Sequence, residues 1–132
     1  MRRIIRVPEG PQYDDSYPLS QGVETDTLVF VNGMAFDNQT RTRMVQADSI
    51  ADETRIVLDA IVAMLADSGC TIDDVTKTTV YLSERSYYDE MNSVYREYWA
   101  AGTFPTRATI YVGLGSDCRV EIDAIAVKGS SK

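Results

Sequence analysis

The amino-acid sequence predicts an α+β fold, in which one mixed β-sheet carries two α-helices on one face. Two segments have apolar residues at helical spacing, and several shorter segments are rich in β-branched residues. The segments follow the order β-β-β-α-β-α-β-β, which is typical of a single sheet with few helices. The chain has 132 residues, 44% of them hydrophobic, so we expect residues 1–132 to form one domain.

The first half of the chain is predicted to supply strands and one long helix. "RIIRV" (2–6) and "LVFVNGMAF" (28–36) have the composition of strands, with a loop rich in proline and aspartate after the first. Gly33 inside the second of these predicts either a bulge or a close backbone approach. Residues 48–69 are predicted to form an amphipathic helix that stops at Gly69.

The second half is predicted to alternate between strand and helix before it ends in two strands. "VTKTTVYLS" (75–83) has the alternation of a strand, and residues 87–102 have the spacing of a helix. The strands at 107–113 and 119–128 are separated by the turn-like sequence "LGSD". We therefore expect these last two strands to pair as an antiparallel hairpin.

This hairpin would decide which side chains face the helices. In an antiparallel pair, opposed residues share a face of the sheet. We expect the following residues to meet the helices: Ala108, Ile110, Val112, Val120, Ile122 and Ala124. Arg107 and Glu121 would then lie together on the other face, which carries apolar side chains as well and is a candidate for contact between subunits.

Composition excludes several classes of site. The sequence contains no histidine, which excludes Ser-His and Cys-His nucleophile pairs and imidazole metal ligands. A net charge of -7 argues against a nucleic-acid partner. Cys70 and Cys118 have the spacing of neither a zinc site nor a disulfide framework, so we expect free thiols. No apolar run predicts a membrane span or a secretory signal, so we expect a cytoplasmic protein with no membrane partner.

The C-terminal stretch "TFPTRATIYVGLGSDCRVEIDAIAVK" (103–128) resembles the signature of the RidA family of 2-imino acid deaminases, such as 2-iminobutanoate/2-iminopropanoate deaminase. In that family a Pro-x-Arg segment precedes one strand, and a V-E-I-E-A-I-A-like strand follows. "SQGV", "LVFVNGMAF", "VTKTTVYL" and "MNSVYREYW" also occur in family order, so the resemblance covers nearly the whole chain. It implies a chorismate-mutase-like six-stranded fold, a homotrimer with ligand clefts between subunits, and chemistry without metal or cofactor.

The resemblance also implies roles for individual residues. Arg107 matches the arginine that binds the substrate carboxylate, and a guanidinium fork suits a carboxylate because it donates two parallel hydrogen bonds. Glu121 matches the glutamate that positions or activates the attacking water, since a carboxylate there can accept and return a proton. Gly33, Asn92 and Thr109 match further positions around the ligand, although many members have cysteine where this chain has Thr109.

One departure from the family pattern concerns the substrate. The family's "GPYSQ" segment is "YPLSQ" in this chain, so Leu19 stands where a ligand-contacting tyrosine is expected. Tyr17 lies two residues earlier and replaces that tyrosine only if the loop bends differently. Because leucine leaves an apolar wall, this change favours less polar substituents on the substrate.

The expected reaction is hydrolysis of an enamine or imine bearing a carboxylate, which yields a 2-keto acid and ammonia. Two alternatives remain open. The first is a deaminase for a larger, pathway-specific enamine of the 2-aminomuconate kind. The second is a trimer that binds small carboxylates or a partner protein without catalysis. At the level of single residues, Arg107 could instead form a structural ion pair across the trimer interface, for example with Glu121, and Asn92 could be an ordinary helix residue.

Overall fold

The computed structural model describes residues 1–131, and ten elements in that part carry the fold. In chain order they are β1 (Arg3–Ile5), β2 (Gly22–Glu24), β3 (Leu28–Met34), β4 (Phe36–Asp37), β5 (Thr42–Arg43), α1 (Ile50–Asp67), β6 (Val75–Leu82), α2 (Tyr88–Tyr95), β7 (Thr106–Tyr111) and β8 (Val120–Val127). Strands β4 and β5 form a small ribbon of their own. No helix within residues 1–131 is long and apolar enough to cross a membrane.

The other six strands form one mixed sheet in the order β1-β2-β3-β8-β6-β7. All neighbours in it are antiparallel except β6 and β7, which are parallel. The predicted fold class, a six-stranded mixed sheet with two helices, is confirmed. The predicted hairpin between the last two strands is wrong, because β6 lies between β7 and β8. Helix α2 carries the chain back across the sheet, which makes β7 parallel to β6.

The strand order changes which residues of β7 face the helices. In the parallel register Arg107 is beside Thr78 and Thr109 is beside Val80, and both of these β6 residues are buried. Arg107 and Thr109 therefore lie on the helix face. Ile110, which was expected to meet the helices, is on the open face and 42% exposed.

The prediction for β8 was right, and it separates the two charged residues. Val120, Ile122 and Ala124 are buried on the helix face. Glu121 alternates with them and lies on the open face of the sheet. Arg107 and Glu121 are thus on opposite faces of one sheet, and the expectation that they share a face is wrong.

Helix α1 begins and ends where local chemistry predicts. Ser49 accepts a hydrogen bond from the backbone N–H of Asp52, whose side chain in turn accepts from the Ser49 N–H, forming a capping box. At the other end Gly69 has a φ of 72°, in the left-handed region that glycine enters most easily. The predicted stop at Gly69 is confirmed. Between these ends the helix buries Val57, Leu58, Ile61 and other apolar residues against the sheet.

Gly33 lets α1 approach the sheet closely. A Cβ atom at this position would lie 2.9 Å from the carbonyl oxygen of Val57 and 3.2 Å from Cγ1 of Ile61. The pairing of β3 with β8 runs through Gly33 without a register shift, so the residue marks a close backbone approach and not a bulge.

Gly33→Ala is expected to lower the free energy of unfolding by about 1–3 kcal/mol, because helix or strand must shift to admit the methyl group. Urea denaturation would measure the change. Gly113→Ala is the matched control, since nothing lies within 4 Å of an added Cβ there. Equal stabilities for the two variants would contradict the close-approach role of Gly33.

The two cysteines are free and buried, as expected from their spacing. Burial raises the pKa of the Cys70 thiol. Burial, followed by the nearby negative charge of Glu53, raises the pKa of Cys118 to about 11. Both thiols therefore stay protonated at neutral pH, which makes them poor nucleophiles.

Candidate functional site

Helix α2 holds the side chain of Arg107 in place. Arg107 Nη1 donates to Asn92 Oδ1 at 2.8 Å, and Nη2 donates to the hydroxyl of Tyr88 at 3.1 Å. Tyr88 and Asn92 are one helical turn apart, so they present their polar atoms on one face of α2. The guanidinium carbon also lies 4.6 Å from the centre of the Tyr95 ring. The guanidinium is thus oriented by two hydrogen bonds and by the rings of Tyr95 and Tyr88, whose centre lies 5.7 Å away.

A second layer of contacts fixes Tyr95. Its hydroxyl lies 2.8 Å from Thr78 Oγ1, and its ring centre lies 4.6 Å from that of Trp99. Burial raises the pKa of Tyr95, although the hydrogen bond with Thr78 and the charge of Arg107 oppose the shift. The phenol is therefore neutral at physiological pH and leaves the positive charge of Arg107 uncompensated.

The positive charge of Arg107 is available to an anion. Within residues 1–131 no carboxylate oxygen lies within 4 Å of its guanidinium, so Arg107 makes no ion pair inside one subunit. Two of its five N–H groups are used by Asn92 and Tyr88. The guanidinium opens into a cleft lined by Asn92, Tyr95, Arg96, Phe104, Pro105 and Arg107. This cleft, which we call the arginine cleft, can bind a small carboxylate against aromatic and apolar walls.

Glu121 lies on the open face, beside polar and apolar neighbours. Asn32 Nδ2 donates to Glu121 Oε2 at 3.0 Å, and Met34 and Tyr81 flank Glu121 on the adjacent strands. In the described part of the chain, no group donates to the second carboxylate oxygen, Oε1. That oxygen can accept a hydrogen bond from water, which is what a general base needs.

A buried carboxylate fixes the start of the strand that carries Glu121. Glu53 on α1 is fully buried and accepts hydrogen bonds from the backbone N–H groups of Arg119 and Val120, at 2.7 and 3.0 Å. Its other oxygen accepts from Arg119 Nε at 2.7 Å. These hydrogen bonds pair the buried charge of Glu53. They also fix the start of β8 against α1, one residue before Glu121.

Tyr17 and Leu19 belong to a second cleft, near Glu121. This aromatic cleft is lined by Tyr13, Tyr17, Leu19, Met34, Phe36, Arg41, Gly115 and Ser116. Its three rings are in mutual contact, with centres 5.5 to 6.4 Å apart. Leu19 is 51% exposed at its edge, and the buried hydroxyl of Tyr17 has no hydrogen-bond partner among residues 1–131. Tyr17 thus lies in the same cleft as Leu19, although it stands two residues earlier in the sequence.

The sequence-predicted residues thus fall into separate groups. Asn92 contacts Arg107 directly, and Thr109 shares its strand and face. Gly33 is on the helix face beneath α1, where its contribution in this chain is close packing. Tyr17 and Leu19 lie in the aromatic cleft, away from Arg107.

Two contributing residues were missed at the sequence level. Tyr88 could have been found, because it stands one helical turn before Asn92 on a predicted helix. Asn32 could not, since its contact with Glu121 depends on the pairing of β3 with β8, which alternation does not reveal.

Tyr88→Phe is expected to weaken binding of a small 2-keto acid about 3- to 10-fold, because Nη2 of Arg107 loses a hydrogen bond of roughly 0.5–1.5 kcal/mol. Calorimetric titration with 2-oxobutanoate would measure the change. Tyr87→Phe serves as the control, because its hydroxyl interacts with Glu84 instead. Unchanged affinity in Tyr88→Phe would show that its hydroxyl does not orient the guanidinium.

Comparison with known proteins places this geometry in context. Residues 12–128 match the family model described as Endoribonuclease L-PSP. A RutC family protein of Pyrococcus horikoshii is 37% identical over 129 residues, which cover 97% of this chain and 99% of the relative. A Mus musculus protein named 2-iminobutanoate/2-iminopropanoate deaminase is 30% identical, with 98% and 93% covered. The crystal structure of Escherichia coli TdcF with bound serine matches with a TM-score of 0.82 at 28% identity, covering 96% of this chain and 99% of that one.

Proposed function

Because the chain belongs to the RidA family, we propose that it hydrolyses 2-imino acids, and the enamines from which they form, to 2-keto acids and ammonia. The observation that carries this proposal is the oriented, unpaired guanidinium of Arg107 in an open cleft. Such a group binds the carboxylate that every 2-imino acid carries next to its C=N bond. The name of the mouse relative supports the same reaction.

We propose further that each site is shared by two subunits. Arg107 and Glu121 lie on opposite faces of the sheet, so one chain does not present both to one small substrate. The open face also exposes large apolar residues, among them Phe30 at 40%, Ile110 at 42% and Val112 beside it at 45%. Packing this face against another copy removes them from water. A closed homotrimer with three equivalent interfaces brings Arg107 of one subunit towards Glu121 of the next.

In this arrangement the chemistry needs only positioning and proton transfer. Arg107 binds the substrate carboxylate, and an enamine first tautomerises to the imine by taking up a proton at carbon and releasing one from nitrogen. Glu121 accepts a proton from water as the water oxygen bonds to the imine carbon. Glu121 passes this proton to the nitrogen, which gives a carbinolamine. The C–N bond then breaks as the C=O bond forms, and the hydroxyl proton moves to the leaving nitrogen, which departs as ammonia. No electron is gained or lost by the substrate, so the proposed reaction needs no redox cofactor.

RNA cleavage, which the description of the family model names, has less support in this chain. The net charge of -7 opposes binding of a polyanion, and the sequence has no histidine to act as general acid or base. A non-catalytic trimer that binds small carboxylates through Arg107 is the competing candidate, because the arginine cleft alone suffices for binding.

A coupled assay separates the two candidates. An amino-acid oxidase generates 2-iminopropanoate or 2-iminobutanoate in solution, and semicarbazide traps whatever imine has not been hydrolysed. A deaminase lowers the amount of trapped adduct in proportion to its concentration. A protein that binds 2-oxobutanoate but leaves the adduct unchanged on every imine tested would refute the enzymatic proposal in favour of the binding trimer.

A further inference from the structure

We propose that the aromatic cleft receives the side chain of the substrate and that Arg41 binds an anionic group at the end of that side chain. The preferred substrate would then be a 2-imino dicarboxylate whose two carboxylates are joined by an apolar chain. This inference rests on the proposed function, because it concerns the same reaction at the same site. It names the class of side chain that the reaction accepts.

The aromatic cleft starts beside the proposed general base. Met34, in its wall, is the direct neighbour of Glu121 on the adjacent strand. Burial and then the negative charge of Glu121 raise the pKa of Tyr13 to about 12, which agrees with this proximity. A substrate whose imine carbon is near Glu121 therefore has its side chain directed along the cleft.

The walls of the cleft are suited to an apolar or unsaturated chain. The ring centres of Tyr13 and Tyr17 are 5.5 Å apart, and Phe36 lies 6.0 Å from Tyr17 in an edge-to-face arrangement. Leu19 adds a further apolar surface where a hydroxyl-bearing tyrosine was expected from the resemblance. Such walls bind methylene or aromatic groups.

Arg41 is the one cation among the residues that line the cleft. Its guanidinium carbon lies 5.2 Å from the centre of the Tyr17 ring. In the described part of the chain it has no carboxylate within 4 Å, although its charge contributes weakly to the lowered pKa of Asp14, after the hydrogen bonds from Ser16. Stacking on Tyr17 orients the guanidinium and leaves its N–H groups available to an anion.

The backbone conformation at position 41 supports a functional role for the arginine there. Arg41 has a φ of 59°, in the left-handed region, and its N–H is held by the carbonyl of Asp37 at 2.8 Å. Glycine fits this conformation without strain, whereas a residue with a Cβ costs about 1 kcal/mol or more. Arg41 therefore keeps a strained backbone at the edge of the cleft and has no carboxylate partner among residues 1–131. This combination supports a role for Arg41 in binding.

The distance along the cleft sets the length of the side chain. Arg41 stacks on Tyr17, which in turn contacts Tyr13, and the charge of Glu121 acts on Tyr13. A substituent that starts near Glu121 must pass these rings to meet Arg41, and a single methyl group is too short for that. A side chain of several carbons with a terminal carboxylate can use both anchors, Arg107 of one subunit and Arg41 of the other.

The test compares two imines that differ only at the end of the side chain. Oxidation of 2-aminoadipate gives 2-iminoadipate, and oxidation of norleucine gives 2-iminohexanoate, in which a methyl group replaces the distal carboxylate. We expect wild-type kcat/KM to be about tenfold higher for 2-iminoadipate, and Arg41→Gln to reduce that ratio to about one. The ratio is the readout, because a general loss of activity lowers kcat/KM for both imines alike and leaves the ratio unchanged.

Arg43→Gln is the matched control, because Arg43 is two residues away but pairs with Asp117 at 3.6 Å. It should keep the preference for 2-iminoadipate. If wild type hydrolyses 2-iminopropanoate but shows no preference for 2-iminoadipate, or if Arg41→Gln keeps the preference, the inference is wrong and the proposed function stands. If no imine is hydrolysed, the proposed function fails and this inference fails with it.

Discussion

Arg107→Ala is expected to lower kcat/KM for 2-iminobutanoate by about 10²- to 10⁴-fold. The variant loses a bidentate contact with the substrate carboxylate, and each charge-assisted hydrogen bond contributes about 1.5–3 kcal/mol. One factor of ten in rate corresponds to about 1.4 kcal/mol. The decrease in trapped semicarbazide adduct, followed at several imine concentrations, gives kcat/KM directly.

Two further variants separate the geometry of Arg107 from its charge. Arg107→Lys keeps the charge but loses the planar fork and the stacking on Tyr95, so its activity should fall between wild type and Arg107→Ala. Arg55→Ala removes a surface guanidinium that pairs with Glu97 and should behave as wild type. If Arg107→Ala keeps more than about a tenth of wild-type kcat/KM, Arg107 does not anchor the substrate.

Glu121→Gln is expected to lower kcat by about 10²- to 10⁴-fold, because the amide cannot accept the proton of the attacking water. KM should change little, since Arg107 provides most of the binding. The fold should be kept, because Asn32 can still donate to the amide oxygen of the new side chain. Steady-state rates measured at saturating 2-iminobutanoate test this expectation.

Asp123→Asn is the matched control for Glu121→Gln. Asp123 is on the same strand and the same face, two residues further along, and accepts a hydrogen bond from the Tyr81 hydroxyl at 2.8 Å. Its replacement should leave kcat within a few-fold of wild type. A loss of kcat in Asp123→Asn equal to that in Glu121→Gln would show that the charge of the open face matters and that Glu121 is not the specific base.

The sequence predicted best the features that depend on neighbouring residues. Helix α1 ends at Asp67, two residues before the predicted stop at Gly69, where the left-handed backbone is a local requirement. Gly33 marks a close approach, one of the two interpretations that a glycine inside a strand allowed. Helix α2 is shorter than predicted: it ends at Tyr95, and a 3₁₀ turn follows it. Such end effects are common because the last turn of a helix often tightens.

The pairing of distant strands was the main feature that the sequence did not reveal. Alternation assigned Val120 and Glu121 to opposite faces of β8 correctly, but it carries no information on which strand lies beside β7. Assuming a hairpin placed Arg107 on the face of Glu121, whereas pairing with β6 places it against α2. This error concealed that Arg107 and Glu121 lie on opposite faces of the sheet, the observation from which we propose a site shared between subunits.

Recombination of two inactive variants tests the shared site most directly. Arg107→Ala and Glu121→Gln subunits would be mixed in equal amounts, unfolded and refolded together, and assayed with 2-iminobutanoate. If Arg107 and Glu121 of each site come from different subunits, about one quarter of the sites in random trimers are intact, and about a quarter of wild-type activity returns. If the mixture stays as inactive as the separate variants while mixed trimers form, the two residues do not meet across a subunit interface and the account is wrong.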